Sequence, residues 1–481
     1  MKNLDNSRAT GVSDAQIHPV SNFSYLYTLG QVTGIDHVDF EFVIGNLNVF
    51  LENQMSPPEN FLEVLEESKN DLPISKLDTL ISKDKLGKLT SNPSIMEKAL
   101  GDPNNKIFQA VVKKLLGQGL NAAQIWTKLA TLLIRLTAKK FEPVFDQSGG
   151  RFGIVSLETD PLLENLDLPG FDVKLVQEYL KQVREFSRLS PKGNIDVKIA
   201  STPTGIEVLK HAIAEGIKIN STTIFPDAQV IDAQSTVNAP QYVAVAEAYI
   251  SGLETFMKNF FIQKGIQAEE PLSQALQNEL KQKLQSIVSV DSEFVSRVGV
   301  EVHTKRFGEK ENAPFVQEFK MPLEIAMLKI IHEIQKIIYF PEYHSKMCCT
   351  SKIQELKKRF SILAVFGANP KSLFFASTGA KTTQEKFLRS IYGDNWDIAY
   401  VQELIAPNTL ATHPPETYDL FNQKGEPRIT IETHLENAMK ALRHMYSTAP
   451  TMTTEVNLSL LKAGFKQFAD AHQRTLTVLG R

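Results

Sequence analysis

Eight short β-branched or apolar runs recur along the chain with amphipathic stretches of helical length between them, and this alternation limits the fold more than any other feature. The runs fall at residues 47–51, 86–90, 153–157, 197–200, 219–224, 287–290, 373–376 and 409–412. The helical stretches include residues 172–189, 205–215, 241–258 and 323–340. A repeated strand-then-helix order demands a parallel sheet, because parallel neighbours can be joined only by a crossover, and eight such strands favour a closed ring. The expectation is an α/β fold, a (β/α)8 barrel with extra helices. Residues 1–46 mix turn formers with scattered aromatics and are expected to form an extension, leaving 47–481 as the barrel domain. At the far end Leu461, Phe465, Phe468 and His472 share one face of a final helix, which packs back on the body and can cover a pocket.

Charge and cysteine content narrow the partners. Lys plus Arg number 52 against 55 Asp plus Glu, a formal charge of −3, so no global field points to nucleic acid or to an anionic membrane. Residues 323–340 are the most apolar long stretch, yet Glu324, Lys329, His332, Glu333 and Lys336 interrupt it, too many charges for a membrane span. The two cysteines, Cys348 and Cys349, are sequence neighbours and cannot close a loop, which suits a reducing cytoplasm. The first twenty residues lack the apolar core of an export signal. Ten histidines stand without HxH or HExxH spacing, so no metal site is expected. The partners expected are small molecules, with the chain a monomer or homodimer.

One strand carries a residue that strands rarely bury. In "VKIASTPTG" side chains alternate, so Lys198 points opposite to Val197 and Ile199. In a barrel wrapped by helices the aliphatic pair faces outward and the lysine inward, near the strand's C-terminal end, where such barrels place their active sites. Burial disfavours an ammonium relative to a neutral amine, and a neutral amine can attack a carbonyl and form a Schiff base. A structural lysine neutralised by an internal carboxylate fits the same strand. Neighbouring strands add Ser156 and Glu158 on one face, and Asn220 and Thr222 on another. Polar side chains inside a barrel need partners, and their convergence near strand ends reads as a site. Asn92 ends a further strand before Pro93, with Ser94 placed to cap the next helix. Ser292 and Arg297 lie near the sixth strand's end, and Ser377 and Lys381 beyond the seventh, a set able to hold a phosphate.

The segments "TSNPSI", "GGRFGIVSLETDP", "VKIASTPTG", "INSTTIF", "EFVSRV", "FFASTGAK" and "YVQELIAPNTLATHPPETYDLF" follow one another in the order of the transaldolase signatures, and the chain resembles that family in its longer bacterial form. The resemblance implies a class I aldolase-like barrel without metal or organic cofactor. Its activity would be transfer of a dihydroxyacetone unit from sedoheptulose 7-phosphate or fructose 6-phosphate to an aldose phosphate, in the non-oxidative pentose phosphate pathway. By the same resemblance Lys198 is the Schiff-base lysine, and Glu158 and Thr222 hold a proton-shuttling water. Asn92, Asn220 and Ser292 bind the three-carbon unit, and Arg297, with Lys381 in the stretch that follows the seventh strand, the phosphate, beside the rim hydroxyl of Ser377. The family's first-strand acid lies in a pattern resembling "WLDN", whose nearest match here is "VFLEN", giving Glu52, with Asp71 and Asp78 as alternatives. Glu293 would bring negative charge close to the phosphate, and residues 382–398 would add a helix at the rim. Two other activities stay open: an aldolase that releases dihydroxyacetone, and a non-catalytic barrel scaffold.

Overall fold

The computed structural model describes residues 21–45, 74–102, 105–164, 170–266 and 272–480. Eight parallel strands close into a ring in chain order: β1 (Gln31–Ile35), β2 (Lys88–Thr90), β3 (Ile154–Glu158), β4 (Ile195–Ala200), β5 (Ile219–Ile224), β6 (Ser289–Phe294), β7 (Ser372–Ala376) and β8 (Thr409–His413). The seam between first and last is in full register, from Gln31 opposite Thr409 to Ile35 opposite His413. This is the expected (β/α)8 barrel. The helices used below are α1 (Pro93–Gly101), α2 (Ala122–Gln147), α3 (Pro240–Lys264), α4 (Leu323–Tyr339) and α5 (Met452–Leu479). A short antiparallel pair, Gln229–Val230 with Val237–Asn238, is inserted between β5 and α3.

The first strand departs from expectation. Residues 47–51 lie outside the described residues, and β1 falls within the stretch expected to be an extension, so the barrel begins upstream of residue 47. Its sequence, QVTGI, hides the strand because Gln31, Thr33 and Gly34 break the apolar run, although all five residues are buried. Gln31 tolerates burial because its amide donates to the Leu404 carbonyl at 2.8 Å and to Thr409 Oγ1 at 3.0 Å. A Cβ at Gly34 would meet the Lys88 carbonyl at 3.3 Å, so the small residue lets β1 and β2 close up. The sixth strand also begins later than expected, at Ser289. Residues 382–398 do form rim helices, Glu385–Tyr392 between two 3-10 turns. Among the described residues no helix is long and apolar enough to cross a membrane.

Alternation sorts each strand into two faces. Val197 and Ile199 join the main core between barrel and helices, whereas Val32, Val290, Phe374 and Leu410 form a separate cluster. Glu293 stands between Ser292 and Phe294, both of which line the cavity described below, and alternation turns its carboxyl away from them toward the helices. The expected negative charge beside a phosphate is therefore misplaced. On that outer side Lys371 Nζ meets Asp291 Oδ1 at 2.5 Å and donates to Ser221 Oγ at 2.7 Å. Burial, with Asp227 and Asp291 adding to it, pushes the Glu293 carboxyl well above the ordinary carboxylate range.

Asp227 belongs to the same acidic group and gives it a measurable pH dependence. Burial pushes its carboxyl up to about 7, against backbone N–H groups of α3 that include Gln241 at 2.5 Å. The folded value lies above the unfolded 3.8, so the folded chain keeps an extra proton between those limits. The stability this group contributes falls as pH rises through that window and stays low above it. Asp227→Asn keeps an acceptor for the helix and removes the titration. Thermal unfolding should show the variant more stable than the parent at pH 8, by a few kcal/mol, with the gap closing toward pH 5.

Candidate active site

A cavity of about 820 Å³ opens at the C-terminal mouth of the barrel, and Asp36, Asn92, Lys198, Ser292, Arg297 and Lys381 are among its lining residues. Strand register creates the first part of the site. Lys198 on β4 is paired directly with Glu158 on β3 and with Asn220 on β5, so three polar side chains from adjacent strands share one level. Lys198 Nζ lies 3.2 Å from Glu158 Oε2 and donates to the Ser91 carbonyl at 3.2 Å. Both readings of Lys198 that its strand allowed are therefore present: it has a carboxylate partner, and it faces a cavity. Burial pushes the Glu158 carboxyl above its ordinary value, with the Lys198 charge opposing the shift. A carboxyl that retains its proton more readily than usual thus sits against an amine.

The neighbours are held differently from what their sequence suggested. Asn220 donates to Ser156 Oγ at 3.0 Å and accepts from Ser292 Oγ at 2.6 Å, which fixes it behind Ser292. Ser292 itself reaches the cavity; Asn220 and Thr222 do not line it. The Thr222 hydroxyl is buried with no hydrogen-bond partner among the described residues. Asn92 lines the cavity and is also the cap of α1, its side-chain Oδ1 accepting from the Ile95 N–H at 3.0 Å. Ser94, expected in that capping role, lies inside the helix instead, because Pro93 already occupies its first position.

A carboxylate that the sequence did not single out, Asp36, stands at the end of the first strand. It follows β1 directly, accepts from Thr90 Oγ1 at 3.0 Å and lines the cavity. Glu52 and Asp71 lie outside the described residues. Asp78 is remote in role: its carboxylate caps the helix Lys76–Asp84 and pairs with Lys140 at 2.6 Å. The available signal was an acidic residue closing "QVTGID", masked by the weak strand pattern before it.

Cations gather at the mouth. Arg297 lies 5.3 Å from the Phe294 ring and 5.6 Å from the Phe468 ring, and burial holds its guanidinium below its ordinary value, with Asp36 and Glu158 opposing. Lost hydration, then the charges of Arg297 and Lys98, lower Lys381 as well. Lys98, on α1, was not anticipated; it lines the cavity and makes no ion pair among the described residues. Ser377 sits beside them with φ 54, its Oγ 2.9 Å from Ser296 Oγ. Crowded like charges of this kind favour a bound anion.

Helix α5 completes the mouth with Leu460, Gly464, Gln467 and Phe468. A Cβ on Gly464 would stand 3.3 Å from Arg297 Nη1 and 3.6 Å from the Phe225 ring. Gly464→Ala should therefore stabilise the helix by up to about 1 kcal/mol while crowding the guanidinium. The expected signature is a higher melting temperature together with weaker binding of inorganic phosphate at the mouth.

The sequence profile described as Transaldolase/Fructose-6-phosphate aldolase matches residues 71–479. The chain belongs to this family. It is 26% identical to a transaldolase of Trichodesmium erythraeum over 383 residues, which is 79% of this chain and 83% of the relative. It is 25% identical to "Transaldolase 2" of a Nostoc species over 415 residues, 86% and 92% of the two chains. A Mycobacterium bovis transaldolase is 26% identical over 403 residues, 83% and 88%. The transaldolase family profile begins beyond β1, so Asp36 lies outside the matched span.

Proposed function

We propose that the chain transfers a dihydroxyacetone unit from a ketose phosphate, sedoheptulose 7-phosphate or fructose 6-phosphate, to an aldose phosphate through an imine on Lys198. The observation that carries the reading is the Lys198 amine facing the cavity, with the buried Glu158 carboxyl 3.2 Å away. In this reading the amine attacks the ketone, and Glu158, with Thr222, manages the water lost and regained. Asp36 takes the hydroxyl proton as the carbon–carbon bond breaks, and the electron pair flows into the iminium to give an enamine. The enamine then attacks the acceptor aldehyde, Asp36 returns the proton, and water frees the product. Asn92 and Ser292, backed by Asn220, face the three-carbon unit. Arg297, Lys381, Ser377 and Lys98 hold the phosphate. Such a reaction belongs to the non-oxidative pentose phosphate pathway of the cytoplasm and needs no metal or organic cofactor.

The family description also covers fructose-6-phosphate aldolase, which supports a second reading in which water ends the enamine and free dihydroxyacetone leaves. One assay decides between them. Fructose 6-phosphate is supplied with and without erythrose 4-phosphate, and both transfer and dihydroxyacetone release are measured. Transfer that requires the acceptor supports the first reading, and release at full rate without it supports the aldolase. Absence of both, with no adduct trapped by borohydride, would sink the imine itself.

A further inference from the structure

Behind the Lys198 and Glu158 pair lies a second chamber that the chemistry above leaves unused. It measures about 20 Å³, room for a single water, and is enclosed by the ends of β2 and β3 and by helices α1 and α2. Trp126, Ala130 and Leu133 are among its apolar walls, and Glu158 and Asp160 are its carboxyl groups. Glu158 lines this chamber and not the main cavity, so a sugar phosphate filling the mouth would leave the chamber as the open side of the carboxyl.

Asp160 joins the chamber to solvent. Its side chain is 32% exposed, and its Oδ1 accepts from the Leu162 N–H at 2.8 Å and lies 3.5 Å from His472 Nε2. His472 comes from α5, is buried, and meets the Trp126 ring at 5.3 Å. Its Nδ1 has no hydrogen-bond partner among the described residues. A buried imidazole whose nearest carboxylate is 3.5 Å from one nitrogen and whose other nitrogen has no partner among the described residues is a costly way to fill a helix contact, and the cost needs a reason. The groups facing it are Asp160 beyond β3 and Trp126 on α2; Glu97 on α1 is already held by Arg474 at 2.5 and 3.0 Å.

Resting on the imine reading, we propose that Asp160 is the outlet through which Glu158 exchanges protons with solvent, by way of one water in the chamber, with His472 as the positioning residue that holds the Asp160 carboxylate. When the carbinolamine loses its hydroxyl as water, Glu158 gives up one proton and becomes a carboxylate. The Asp160 carboxylate first takes a proton from bulk water and then hands it to the chamber water as that water gives one to Glu158. During imine hydrolysis the same proton travels outward. No electrons change hands.

The test uses Asp160→Asn, which keeps an acceptor for Leu162, and Ala130→Leu, which fills the chamber without touching a charge. Arg474→Ala breaks the contact of α5 with Glu97 away from the chamber and serves as control. Imine formation with fructose 6-phosphate is followed by rapid mixing and borohydride trapping, with turnover compared in H2O and D2O. Asp160→Asn and Ala130→Leu should each slow imine formation by about tenfold, raise the solvent isotope effect and leave KM unchanged. His472→Gln should give a smaller loss of the same kind, and Arg474→Ala the parent rate. Imine formation at the parent rate in Asp160→Asn, or slowing confined to Ala130→Leu, overturns the relay. If the parent protein itself gives no adduct, the imine reading fails and not the relay alone.

Discussion

Lys198→Met should abolish borohydride labelling by fructose 6-phosphate and lower transfer by roughly 10⁴-fold or more, the scale of loss when a covalent nucleophile is removed. Methionine keeps all but the last atom of the unbranched side chain and removes the amine. The partner left behind is Glu158, whose carboxyl burial already pushes upward, and removing the opposing Lys198 charge pushes it further. It therefore adapts by holding its proton instead of standing as a bare buried charge. The stability cost should accordingly stay near the lower end of the ~1–3 kcal/mol typical of a lost buried hydrogen-bond partner, measured by urea unfolding. Mass mapping of the labelled peptide is the decisive readout. An adduct that persists in the variant would assign the chemistry to another lysine, and Lys88, buried inside the ring against Asp196, would be the next to test.

Asp36→Asn should separate the two halves of the reaction. The amide keeps its contact with Thr90 but cannot accept the hydroxyl proton as the carbon–carbon bond breaks. Turnover should fall about 10²- to 10⁴-fold, the range for loss of a positioned general base, while trapping of the first imine survives. Glu52→Gln run alongside decides between the two carboxylates. A loss there, with Asp36→Asn close to the parent, would return the role to Glu52.

Much of this molecule can be read from alternation alone. The lysine between two aliphatic residues, and the polar pairs Ser156/Glu158 and Asn220/Thr222, announce inward faces because a strand has only two sides. What escapes is set by forces that leave no period. β1 is secured by the amide of Gln31 and by the missing side chain of Gly34, so its sequence lacks an apolar run, and Asp36 is lost with it. Lys98 enters the cation group because of how α1 docks, which its own residues do not encode. Glu293 shows the opposite error. It is close to Ser292 and Arg297 in sequence, yet one step along a strand carries it to the far side of the sheet, among Asp291, Lys371 and Asp227. The contrast between Asn92 and Ser94 is finer: both are capping residues, and the proline between them decides which one caps.

The ring closes where residues 31–35 meet residues 409–413, and the mouth receives its last wall from residues 452–479. During synthesis the amine-bearing strand and its glutamate emerge long before either event, so a growing chain cannot assemble a competent pocket until its final helix has left the ribosome. Early strands must wait with unpaired edges, which makes holding by chaperones and slow final closure the expected biosynthetic signature of this polypeptide.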